Sequence, residues 1–121
     1  MTIEELYKRI EGSYEEAKGR LMNDILIKRF VLKFANEYTL DKLIEAYNNH
    51  DNVGVFEAAH SFKGVCGNLA FTKLFNFASA LTEKTRGVDN TTTIDITKEY
   101  EDFVAEFNKT VQAIKEYEAS L

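Results

Sequence analysis

Proline is absent from the chain and glycine occurs only six times in 121 residues, so the sequence lacks the breakers that a many-stranded protein places at its turns. The expectation is a helical protein. Cysteine is nearly absent too: Cys66 alone cannot form an internal disulfide and has no second thiol for a zinc site, so it reads as reduced and structural. Basic residues are outnumbered, and the net charge of −5 with no lysine or arginine stripe argues against a polyanionic partner such as nucleic acid. Apolar runs reach only three residues, as in Phe30-Val31-Leu32, whereas a membrane span needs roughly 20. The start, Met1-Thr2-Ile3-Glu4-Glu5, is acidic where a secretory signal is basic. A cytoplasmic protein is expected, and the opening Met1 suggests a free-standing one.

With 45% hydrophobic and 29% charged residues, a chain of this length supports one core, and a single domain over 1–121 is expected. Thr2-Ile3-Glu4-Glu5 and Ser13-Tyr14-Glu15-Glu16 each set a hydroxyl three residues before a glutamate, the capping-box pattern. They predict short helices within 1–22, interrupted at Gly12 and Gly19. Ile25, Leu26, Phe30, Lys33 and Phe34 predict a longer helix over 23–35. Thr39 is a candidate cap for a stripe of Leu40, Leu43, Ile44 and Tyr47, which ends in the polar turn 48–52. From 53 to 69, Val55, Ala59, Phe62, Cys66 and Leu69 alternate steps of four and three, the seam of a central helix. Leu74, Phe77, Ala78 and Leu81 mark another helix, stopped at Arg86-Gly87. After a loop at 88–93, a last helix starts near Asp95 or Thr97 and keeps Tyr100, Val104, Phe107, Val111, Ile114 and Leu121 on one face. No repeat or flexible linker interrupts the pattern. The expected fold is all-α: an antiparallel four-helix bundle over about 23–121 with additional short N-terminal helices.

The chemistry concentrates opposite the central seam. At about 100° per residue, His60 points roughly 140° from that seam, Gly64 roughly 180° and Gly67 roughly 120°. His60 therefore faces water with little to cover it. Two glycines inside a helix cost about 1 kcal/mol each relative to alanine; either something approaches this backbone or a neighbouring helix packs closely against it. Lys63, three residues beyond His60, can bring an ammonium to an anion held on the ring. Val53 and Phe56 tilt out of the seam and are either a docking patch or partial core. An exposed imidazole is mostly neutral near pH 7 and keeps a lone pair for nucleophilic attack. The chain has neither a Gly-x-x-x-x-Gly-Lys loop nor a dense acidic metal site, so a partner must supply the machinery of phosphoryl transfer. His50, with one other histidine and no cysteine pair, offers no metal ligand set.

The run Ala59-His60-Ser61-Phe62-Lys63-Gly64-Val65-Cys66-Gly67-Asn68-Leu69 resembles the signature of histidine-containing phosphotransfer (HPt) domains. Gly12 to Ala17, Arg20-Leu21 and Phe30 to Phe34 also resemble the N-terminal half of bacterial members. The resemblance implies a bundle that relays phosphate between receiver-domain aspartates. In it His60 is the acceptor, Lys63 steadies the phosphoryl oxygens and Gly64 leaves room for the phosphate and the receiver. It implies a phosphocarrier rather than an enzyme, with a hybrid sensor histidine kinase and response regulator receiver domains as partners, and magnesium on the receiver. The family usually has leucine in place of Phe62 and glycine in place of Ala70. Many members add a glutamine near the phosphate, which falls close to Thr82 here. Two other functions are compatible with the residues: a helical adaptor whose histidine is incidental, and the phosphoacceptor module of a chemotaxis-type kinase.

Overall fold

Four helices begin at a polar side chain that accepts the backbone N–H three residues on, at Thr2, Ser13, Asn23 and Asp51. In the computed structural model, which describes residues 1–121, they belong to a set of seven helices with no strand. These are α1 (Ile3–Arg9), α2 (Tyr14–Leu21), α3 (Asp24–Glu37), α4 (Asp41–Asn48), α5 (Asn52–Leu69), α6 (Thr72–Thr85) and α7 (Thr97–Ala119). The capping box closes reciprocally at Thr2 and Glu5. At Ser13 it stays one-sided, because Glu16 turns to Arg20, 2.9 Å away. Thr39 does not cap α4: Leu40 occupies that position, buried, with no side-chain bond.

The long helices α3, α5, α6 and α7 close a ring, α5 on α6, α6 on α7, α7 on α3 and α3 on α5. α5 and α6 run antiparallel, joined by Ala70 and Phe71. The Gly67 end of α5 meets Phe75 near the start of α6, and Asp51 at its other end meets Asn90 beyond the end of α6. α6 and α7 are antiparallel too, since Lys73 pairs with Glu106 and Lys84 with the earlier Glu99. The predicted α5 seam is buried in full, with Ala59 and Cys66 reaching 0% exposure. These two small residues let neighbours approach closely. Burial also pushes the Cys66 thiol up to about 12, keeping it neutral.

Two predicted stripes are rotated. On α3 the core takes Ile27, Val31, Phe34 and Ala35, while Ile25 is left 73% exposed and Phe30 39%. Apolar residues lie almost all round this helix, so spacing alone offered two faces. On α7 the core face is Phe103, Phe107, Thr110, Ala113, Ile114 and Tyr117, and Leu121 lies exposed past the helix end. Thr110 can enter because its hydroxyl donates to the Glu106 carbonyl at 2.8 Å.

The N-terminal helices tie down the end of α5. The Tyr7 hydroxyl donates to the Leu69 carbonyl at 2.7 Å, and the Ser13 N–H donates to the Ala70 carbonyl at 2.9 Å. Gly12 is required at this crossing, since a Cβ there would lie 2.8 Å from the Ala70 carbonyl oxygen. At the opposite end, the Asn52 amide donates to the Asp89 and Thr92 carbonyls at 2.9 and 2.7 Å.

Burial holds the Tyr7 phenol above its ordinary value. Its stabilising effect is therefore complete below about pH 10 and declines above it, where only the unfolded chain ionises. Tyr7→Phe should cost about 1–2 kcal/mol in urea unfolding at pH 7. It should also flatten the loss of stability above pH 10, without abolishing it because Tyr100 and Tyr117 shift the same way.

Candidate functional site

Midway along α5, the buried seam and the exposed strip are held on opposite sides of one helix. His60 is exposed, and its imidazole stacks on Phe56, one turn earlier, with ring centres 5.5 Å apart and planes 8° from parallel. Phe56 is half-buried and serves as a platform for the ring. A Cβ on Gly64 would meet nothing within 4 Å, so the space one turn beyond His60 is open. No packing requires a glycine there. Gly67 differs: its Cβ would lie 3.4 Å from the Phe75 ring, so it faces α6. Val53 is 44% exposed, and its N–H donates to the Asn90 side chain at 3.0 Å.

Lys63 leans across to α6, its Nζ 5.9 Å from the centre of the Phe75 ring and 3.9 Å from the Glu83 carboxylate. Its stem covers apolar surface while the ammonium stays near the strip. Arg86 grips Glu83 with Nε and Nη2 at 3.2 and 3.0 Å and lies 5.2 Å from the centre of the Phe56 ring. Arg86, joined by Lys63 and His60, holds the Glu83 carboxyl below the usual carboxylate range. The strip opens into a depression of about 510 Å³ bordered by His60, Lys63, Gly64, Gly67, Phe75 and Arg20. The result is an exposed imidazole beside an open depression whose cations, Lys63, Arg86 and Arg20, are paired with Glu83 and Glu16.

Residues 32–116 of the chain match the Hpt domain. The chain belongs to the Hpt domain family. Hpt domains act in phosphotransfer within two-component signalling, as carriers of the phosphoryl group. No curated protein and no solved structure matches the chain. The Hpt match starts inside α3 and runs through most of α7, so Gly12 to Leu21 lie outside it. Ala70 sits at φ +56°, a left-handed position that suits glycine. Phe62 fills its place against Phe103 and Phe107, with ring centres 5.2 and 5.4 Å away.

Thr82 does not reach the strip. It is fully buried, with its hydroxyl donating to the Ala78 carbonyl at 2.7 Å. The polar side chain that α6 turns towards Lys63 is the next one, Glu83. Phe75, Glu83 and Arg86 were not expected here; Arg86 reads in sequence only as a basic last turn. Phe75 and Arg86 lie one step round from Leu74 and Thr85, whereas Glu83 stands two residues beyond Leu81, on the far side of the seam.

Gly64→Ala should stabilise the fold by about 0.5–1 kcal/mol, because the added methyl favours helix and meets no neighbour. A rise in the thermal unfolding midpoint checks this; a fall would mean that packing demands the glycine.

Proposed function

We propose that the chain is a phosphocarrier of a multistep phosphorelay, accepting a phosphoryl group on His60 and passing it on. The observation that supports this is the exposed His60 imidazole, with Lys63 on the same strip and open space over Gly64. A ring nitrogen attacks the phosphorus of a receiver's aspartyl phosphate. The N–P bond forms, the acyl O–P bond breaks, the carboxylate is returned and the ring gives its proton to solvent. Lys63 steadies the equatorial oxygens as charge moves, and the gap over Gly64 admits the receiver's loops. Magnesium and the acidic residues that bind it belong to the receiver in this reading, and Phe56 and Val53 border the docking surface.

The partners are response regulator receiver domains and a hybrid sensor histidine kinase, the whole exchange taking place in the cytosol. No helix of the chain is long and apolar enough to cross a membrane. The chain is read as a carrier, not an enzyme, and as one domain over 1–121.

The test is incubation with a phosphorylated receiver or its kinase. Wild type should take up label that is acid-labile and base-stable, and His60→Gln should take up none. Lys63→Gln should slow transfer about ten- to a hundredfold, the scale of one charge-assisted contact. Label that persists in His60→Gln would overturn the assignment, and equal signalling by both proteins would favour the adaptor.

A further inference from the structure

We propose that Glu83 competes with a phosphoryl group on His60 for the Lys63 ammonium, and so sets how long the phosphorylated state survives. This rests on the phosphocarrier reading of His60. The observation is a circuit around the imidazole made of four contacts and one helical step. His60 stacks on Phe56 at 5.5 Å, Arg86 lies 5.2 Å from that same Phe56 ring, Arg86 grips Glu83 at 3.0 Å, and Glu83 lies 3.9 Å from Lys63. Lys63 closes the circuit, three residues from His60 on the same helix. It contains two cations, one carboxylate and the acceptor. Glu83 is exposed, and its only ion-pair partners are these two cations. Nothing in the packing of α6 needs an acid at this position.

Before phosphorylation the circuit has one positive charge in excess, and the Arg20–Glu16 pair of α2, which borders the same depression, leaves that balance unchanged. A phosphoryl group adds about two negative charges, and the excess changes sign. The phosphoryl oxygens and the Glu83 carboxylate then draw on the same ammonium. Lys63 cannot serve both fully, so the anion on His60 is less well neutralised than it would be alone. Loss of the group begins with a proton on the ring, after which the N–P bond breaks, water bonds to phosphorus and inorganic phosphate leaves. Weaker neutralisation by Lys63 shortens the life of the phosphorylated protein, a useful property in a carrier that must discharge.

The probe is phosphoramidate, which needs no partner protein: its phosphorus bonds to the ring nitrogen, its own P–N bond breaks, and ammonia leaves as ammonium with the ring proton. Wild type and Glu83→Gln would be labelled in this way and their decay followed by phosphorus NMR at one fixed pH. Glu83→Gln should live about two- to fivefold longer, the range expected of an exposed ion pair. Lys63→Gln should shorten the life more in the Glu83→Gln background than in wild type, because only there is the ammonium free. Equal half-lives, in proteins of equal melting temperature that are both labelled on His60, would overturn this inference and leave the carrier reading standing. Absence of label on His60 in both proteins would overturn the two together.

Discussion

The burial of one stripe of α5 governs where everything else can lie. Val55, Ala59, Phe62, Cys66 and Leu69 meet the other helices, and two of these five are small enough for backbones to come near. Once that stripe is inside, helix geometry leaves His60 and Gly64 no choice but water. The position of the imidazole is thus a by-product of the core. α6 follows, since a two-residue connection obliges it to return beside α5, and its Phe75, Glu83 and Arg86 arrive level with the exposed strip. The charges around His60 come from two helices, but the alignment that brings them together is hydrophobic.

The central helix was legible in sequence because its apolar residues form one narrow stripe with polar or small residues elsewhere. α3 was less so: Ile25, Leu26, Ile27, Phe30, Val31 and Phe34 cover most of its circumference, and only tertiary packing chooses Ile27 and Val31 over Ile25 and Phe30. α7 misled in a different way. Its core face admits Thr110 and Glu106, whose polar groups are satisfied by a backbone carbonyl and by Lys73, and polarity scored residue by residue hides such positions. His60, Lys63 and Gly64 could be grouped from one helix alone. Glu83 and Arg86 could not, because contacts between helices depend on a register that no local pattern states.

The departure at Thr82 shows how little rotation matters to a fold and how much it matters to a site. One residue is about 100° of turn. Thr82 spends its hydroxyl on the helix backbone and fills core volume, while Glu83 presents a charge to the strip. A neutral amide near a phosphate donates hydrogen bonds; a carboxylate there can only accept them and repel. The same architecture with a different residue at this point has a different electrostatic balance around its histidine.

Both ends of α5 are anchored, by Tyr7 and Ser13 at one end and by Asn52 and Asn90 at the other. Frayed helix ends would otherwise reach within a few turns of His60. With neither end loose, the surface offered to another protein is already in its final shape, and association costs little ordering entropy on this side. A rigid face of that kind can bind through a modest area and release quickly, so encounters can be frequent and brief.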